Sequence, residues 1–272
     1  NAISGYTCDS IGNVLRLKRS DTRSFNIAVR GGTTNQAMTV IKDTANDIAE
    51  LPFQCFPDFI CKVKNTQDST ADDYYVIFEP DAAGIPGAGS WTETIKPGIE
   101  TGLNSSTMPH ALIRQANGTF TLDALNSSSA FGGWASKEVG DEFSNPNPSF
   151  VDKGISNMFF FANRLGFLCE DAVILSQPGD YFNFFQTSAI TVTDSDPIDL
   201  TASSKKPAIL QAAIGTPKGL ILFAENSQFL MASQEVAFGP STVKLTEIAT
   251  YTYKSITEPL STGVSVMFVT EA

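Results

Sequence analysis

The sequence predicts a mainly β protein with some α. Propeller-type blades of antiparallel strands are expected over residues 146–272, after a mixed α/β, loop-rich region over residues 1–145. Three observations carry this reading. An eleven-residue pattern recurs at an offset of 55, the strands inside it are apolar on both faces, and composition changes at SNPNPSF (144–150). Before that point Gly, Pro, Ser and Asn are dense. After it, apolar runs alternate with tight polar turns.

Along the first region, SFNIAVR (24–30) alternates like a strand and Gly31-Gly32 turns the chain. In TVIKDTANDIAELP (39–52), Val40, Ile41, Ala45, Ile48 and Ala49 recur at three- and four-residue spacing until Pro52, which predicts a helix. FICKVK (59–64) and YYVIFE (74–79) read as strands parted by the polar turn NTQDSTADD. From residue 80 to about 150, islands such as SWTETI and HALIRQ predict short strands between long loops.

The repeat aligns LGFLCEDAVIL (165–175) with LILFAENSQFL (220–230). Leu165, Glu170 and Leu175 fall on Leu220, Glu225 and Leu230, and four further pairs stay apolar. A third copy begins at VMFVTEA (266–272), with Val266, Phe268 and Glu271 under Leu220, Leu222 and Glu225. Ending inside that turn, the chain is expected to be a fragment of a longer one. Each unit is a strand, a tight turn of the type Glu-Asp/Asn-Ala/Ser and a second strand. Sheets covered on both faces have such continuously apolar strands, as stacked blades require.

Charge narrows the function. The chain carries 18 Lys and Arg against 29 Asp and Glu, a formal charge of −11. That is the wrong sign for a general nucleic-acid binder. The one basic concentration, Arg16, Lys18, Arg19 and Arg23, is expected to be a solvated strand and turn. No apolar run is long enough to span a bilayer, and NAISGYTCDS lacks the layout of a signal peptide. Cys8, Cys55, Cys61 and Cys169 form no CxxC pair and the chain holds 1 His, so a zinc site is not expected. The thiols read as small buried groups in a reducing compartment. The three Asn-x-Ser/Thr patterns at Asn104, Asn117 and Asn126 read as polar loops.

Catalytic patterns are thin. His110 has no G-x-S-x-G beside it, and GIPGAGSW (84–91) lacks a P-loop's Lys-Ser/Thr and reads as a flexible turn. Asp194, Asp196 and Asp199 in TVTDSDPIDL offer oxygen to a hard cation such as calcium, but without an EF-hand's glycine and terminal Glu. The favoured reading is a turn in which aspartates accept nearby backbone N–H groups and Pro197 sets the bend. Tyr181, Phe182, Phe184, Phe185 and Trp134 suit either packing between blades or, with a carboxylate pair, a sugar-stacking platform. The alternative to a structural role is therefore a carbohydrate-binding or glycoside-hydrolysing module. Two facing carboxylates beside exposed rings would favour it, and buried rings would favour the structural role.

YYVIFE, SWTETIKPG (90–98), STMPHALIR (106–114), NPNPSF (145–150) and FFFANRLGFLCEDAVILSQPGDYFNFF with SDPIDL (195–200) together resemble the tail tubular protein B, or nozzle, family of T7-type short-tailed phages. GLILFAENSQFLM and GVSVMFV fit as well. The resemblance implies a β-propeller virion protein of the phage tail, made in the host cytoplasm, with no enzyme activity and no cofactor. It implies a homo-oligomeric ring, a hexamer, below the adaptor ring of tail tubular protein A, with tail fibres nearby and genomic DNA passing through without sequence-specific binding. On this frame Asn163, Arg164 and Gly166 begin a blade hairpin and Glu170-Asp171 turns it. Pro178-Gly179-Asp180 then leads into the aromatic strand, and Asp194, Asp196, Pro197 and Asp199 complete the motif. Arg164, set among apolar residues, is expected to pair with the carboxylate of Asp180, Asp194 or Asp196 and to fix blade register.

Overall fold

Strand pairing organises almost all of the computed structural model, which describes residues 4–21, 23–29, 38–64, 73–129, 132–263 and 265–270. The chain divides into two units: residues 1–99 with 138–144, and residues 100–137 with 145–272. No α-helix occurs among the described residues, which corrects the expectation of some α.

In the first unit, β1 (Tyr6–Ile11) and β2 (Val14–Arg19) form an antiparallel hairpin. β3 (Thr44–Ala45), β4 (Gln54–Cys55), β5 (Ile60–Val63), β6 (Tyr74–Pro80) and β7 (Gly87–Thr94) form a sheet of order β3-β5-β6-β7-β4. Alternation along β5 and β6 buries Cys61, Val63 and Val76 with Ala45 and Leu51, and the Trp91 indole N–H donates to the Pro52 carbonyl at 3.0 Å.

The predicted helix over 39–52 is instead the short strand β3 and a 3-10 turn at Ile48–Glu50. Its middle holds Asp43, Thr44, Asn46 and Asp47, residues whose side chains compete with the helix by bonding nearby backbone. The Asp47 carboxylate caps Ala49 N–H at 2.8 Å, and β3 pairs in parallel with β5. Residues 24–29 form no strand, and residues 31–32 and most of the 65–73 turn lie outside the described residues. GIPGAGSW is no flexible turn either. Its last five residues belong to β7, where a Cβ on Gly89 would collide with the Glu79 carbonyl and the Phe78 ring. The basic run is partly paired: Arg16 meets Asp9 at 2.8 Å and Arg19 meets Asp21 at 2.6 Å, on the largely exposed β1–β2 hairpin.

The second unit opens with the hairpin β8 (Ala111–Arg114) and β9 (Phe120–Asp123). Two four-stranded antiparallel sheets follow in chain order. One is β10 (Asn157–Phe161), β11 (Arg164–Cys169), β12 (Ala172–Leu175) and β13 (Ile198–Thr201). The other is β14 (Leu210–Thr216), β15 (Gly219–Ala224), β16 (Gln228–Ser233) and β17 (Val243–Ala249). A short hairpin of β18 (Leu260–Ser261) and β19 (Val266–Met267) comes last.

The repeat is realised in this order. Its offset places β11 on β15 and β12 on β16, with Glu170-Asp171 and Glu225-Asn226 in the connecting turns. Alternation explains the two-faced apolarity. Leu165, Phe167, Cys169, Ala172 and Ile174 join Trp134, Phe150 and Phe184 on one side of the first sheet. Leu168, Val173, Leu175 and Ile198 meet Leu210, Leu220, Leu222, Phe229 and Met231 of the second sheet on the other. The far side of the second sheet, through Ala212 and Phe223, packs on Tyr253 and on Val266 and Phe268 of the third copy. Glu271 lies outside the described residues. Propeller blades were expected, and the described residues form stacked antiparallel sheets with no closed ring among them.

Two details bear on reactivity. The Asn-x-Ser/Thr patterns are Asx turns: Asn104, Asn117 and Asn126 each accept the backbone N–H two residues on, at 2.9–3.1 Å. Cys55, Cys61 and Cys169 are buried but Cys8 is exposed, a correction for that residue. Burial pushes the Cys55 and Cys169 thiols up and that of Cys61 to about 11. A maleimide at about pH 8 should modify Cys8 quickly and the other three thiols only after denaturation. A second fast thiol in native protein, resolved by peptide mapping, would contradict the burial.

Candidate functional site

The polar residues of the 163–199 string are placed by the β10–β11 hairpin. Phe161 pairs with Arg164 across a two-residue turn in which Ala162 and Asn163 both have positive φ, 50° and 58°. That geometry suits the right-handed twist of the strands and commits Arg164 to the face that also carries Gly166 and Leu168. At Gly166 a Cβ would strike the ring of Phe159, its cross-strand partner, so glycine lets that ring lie on the backbone.

Arg164 is the centre of the arrangement, only 1% exposed. Its Nη1 donates to the carbonyls of Ser176 and Asp196, both at 2.7 Å. Its Nη2 donates to the carbonyls of Asp194 at 2.6 Å and Phe238 at 3.2 Å. One planar fork therefore gathers the end of β12, the 186–197 loop and the β16–β17 connection. The expected side-chain ion pair is not what forms: Arg164 takes main-chain oxygen. Burial lowers its pKa, opposed by the nearby negative charges of Asp196 and Asp194.

Asp196, fully buried, supplies that charge while its carboxylate is occupied elsewhere. Oδ1 accepts the Thr187 N–H at 3.2 Å and hydroxyl at 2.9 Å, and Oδ2 accepts the Thr193 N–H at 2.7 Å and hydroxyl at 3.1 Å. This is the aspartate turn the sequence suggested, and Pro197 then leads into β13. Asp194 is exposed and abuts Gly239, where an added Cβ would lie 2.6 Å from its Cα.

The remaining motif residues sit at separate joints. The Asn163 carbonyl accepts Gly179 N–H at 2.8 Å and its side chain accepts the Tyr181 hydroxyl at 2.9 Å. Gly179 has φ 80°, so Pro178-Gly179 turns the chain between Gln177 and the exposed Asp180. At the other end of β11, Glu170 has φ 52° and its carboxylate meets Lys153 at 2.8 Å. The Glu170 carbonyl accepts Leu210 N–H at 2.6 Å, and that of Asp171 accepts Ala202 N–H at 2.7 Å. Asp199 accepts Ser149 N–H at 2.7 Å. The repeat reproduces one of these joints: the Glu225 carbonyl accepts Tyr253 N–H at 2.8 Å.

Sequence reasoning missed Ser176, Thr187, Thr193 and Phe238. The threonines and Ser176 carry hydroxyls that hint at capping, whereas Phe238 contributes only a carbonyl, which no side-chain pattern reveals. It also missed two buried amides that pair with backbone as a strand would: Asn145 with Gln186, both bonds at 3.2 Å, and Gln228 with Tyr251 at 2.8 and 3.1 Å.

Chemically the arrangement joins segments. The Asp196 carboxylate is taken by Thr187 and Thr193 and that of Asp199 by Ser149, while Asp194 is exposed, and no cluster of three or more His, Cys, Asp or Glu occurs among the described residues. His110 bonds locally, its Nδ1 3.0 Å from the Met108 carbonyl. A cleft of about 180 Å³ between β10 and β14 is lined by a single carboxylate, Glu258. The aromatic cluster is packed: Phe184 stacks on Phe167 at 5.1 Å and meets Phe150 at 5.2 Å, while Trp134 lies 5.2 Å from Phe182.

Residues 1–272 match the bacteriophage nozzle protein family in full. The chain belongs to that family. It is also 31% identical, over 239 residues, to the tail tubular protein gp12 of Escherichia phage T7. That alignment covers 88% of this chain and 28% of the relative, so this nozzle-family chain spans little more than a quarter of the relative's length.

Proposed function

We propose that this chain is part of a structural tail protein of a phage virion, the tail tubular protein B or nozzle of a T7-type phage, without enzyme activity. Copies form a closed ring, a hexamer, below the adaptor ring of tail tubular protein A and near the tail fibres. Genomic DNA leaves through the lumen without sequence-specific binding. The protein is made in the host cytoplasm and acts in the virion.

The observation that carries this reading is how the 163–199 residues are spent. In a nozzle-family chain, Arg164, Asp196 and their neighbours hold segments together rather than lining a cleft, and the central strands of both four-stranded sheets are covered on both faces. This is the economy of a scaffold. The finer reading is that the two sheets and the last hairpin are successive propeller blades, each burying its faces on its neighbours. The formal charge of −11 suits a conduit, since an acidic lining lets a polyanion slide without sticking. Among the described residues no helix is long and apolar enough to cross a membrane. A sugar-stacking platform would need exposed rings, and of the five aromatic residues Trp134, Phe184 and Phe185 are buried in packing, Phe182 is half-buried and Tyr181 is exposed.

The test is the mass of the full-length protein by light scattering, with its shape from electron microscopy. A closed ring with an axial channel is expected. A stable monomer at high concentration, also in the presence of the adaptor ring, would overturn the proposal.

A further inference from the structure

Two exposed apolar surfaces of the second unit carry complementary charge. One is the outer face of the β8–β9 hairpin. Register sets Leu112 against Leu122 and Arg114 against Phe120 on that face, and the three apolar side chains are 68%, 71% and 59% exposed. The opposite face supplies only Ala111 to a core cluster. A two-stranded hairpin with so little covered is marginal in water. Arg114, also exposed, has no carboxylate within 4 Å among the described residues.

The other surface is the loop between Thr187 and Thr193. Asp196 grips both residues, so its carboxylate ties the neck. The tip is shaped as well: the Ser188 hydroxyl accepts the Ile190 and Thr191 N–H groups at 3.1 and 3.0 Å. Along this loop Ile190 is 57% exposed and Val192 51%, and the exposed Asp194 follows. Arg164 holds the Asp194 carbonyl, which fixes where its carboxylate emerges. A loop anchored at its neck and at one flank loses little entropy on binding.

We propose that this loop docks on the β8–β9 face of a second copy of the chain, Ile190 and Val192 against Leu112, Leu122 and Phe120, with Asp194 against Arg114. Both halves of the match, apolar and charged, are carried by the same chain, which is why a copy fits better than an unrelated partner. Two different patches meeting head to tail make a heterologous contact, which gives a ring where the rotation between copies closes and an open filament where it does not. The inference thus names the subunit contact of the assembly proposed above and rests on that reading.

The test follows the assembly of full-length protein against concentration by light scattering, with a thermal melt of each variant to confirm folding. Ile190→Asp should raise the half-assembly concentration roughly thirtyfold or more, the scale of a buried hot spot. Arg114→Glu and Asp194→Lys should each raise it about tenfold, and the double swap should recover most of the loss. If wild type assembles, and Ile190→Asp and Arg114→Glu assemble identically while melting normally, the contact is wrong and the ring stands. If wild type forms no assembly at any concentration, the ring reading falls and takes the contact with it.

Discussion

Replacing Arg164 by methionine is expected to lower the unfolding free energy by about 3–5 kcal/mol, the cost of removing one member of a buried charged network. Methionine keeps much of the apolar stem but strands the carbonyls of Ser176, Asp194, Asp196 and Phe238, and a buried carbonyl left without a donor costs roughly 1–3 kcal/mol. It also leaves Asp196 buried without its neighbouring cation. Arg164→Lys restores the charge but not the planar fork, so its loss should be intermediate. Denaturant titration at constant m-value measures both. A loss under about 1 kcal/mol for methionine would mean that water or a rearranged loop replaces the fork.

Phe184→Ala should cost a similar amount, about 3–5 kcal/mol, because a large buried ring is lost and a cavity left. Phe184 is 4% exposed and lies among Phe167, Phe150 and Trp134, with centroids 5.1–6.1 Å away. Residues 181–185 belong to no strand and are held by scattered bonds, Ala135 N–H to the Phe182 carbonyl and Gln177 N–H to the Asn183 carbonyl among them, so the buried Phe184 ring carries much of the packing of that segment on the first sheet. Local amide exchange over residues 177–197 should therefore rise more than that of β11. Uniform acceleration across the unit would show that the segment has no independent stability.

What could be read from the sequence was the part written in side chains and close neighbours. The apolar strands β11, β12, β15 and β16 and their Glu-Asp/Asn turns follow from alternation and spacing within a dozen residues. The helix over 39–52 failed for the opposite reason: β3 is decided by a parallel partner, Lys62-Val63, eighteen residues on. No local pattern reports such pairing. Arg164 was recognised as needing partners, and Asp194 and Asp196 are indeed at hand. That they serve through main-chain oxygen depends on how the loop is bent, and the fourth oxygen comes from Phe238, 74 residues away. Cys8 escaped because the β1–β2 hairpin leaves most of its residues in solvent.

The joints at Glu170 and Glu225 also order events in time. The Glu170 carbonyl captures Leu210, the first residue of β14, the Glu225 carbonyl captures Tyr253 just beyond β17, and within each four-stranded sheet every strand pairs with its neighbours in sequence. Contacts this local close quickly, since little chain entropy is lost before pairing rewards it. A ribosome delivering the chain from its N-terminus can thus complete one sheet before the next emerges. Each finished sheet then offers an apolar face to the strands arriving behind it.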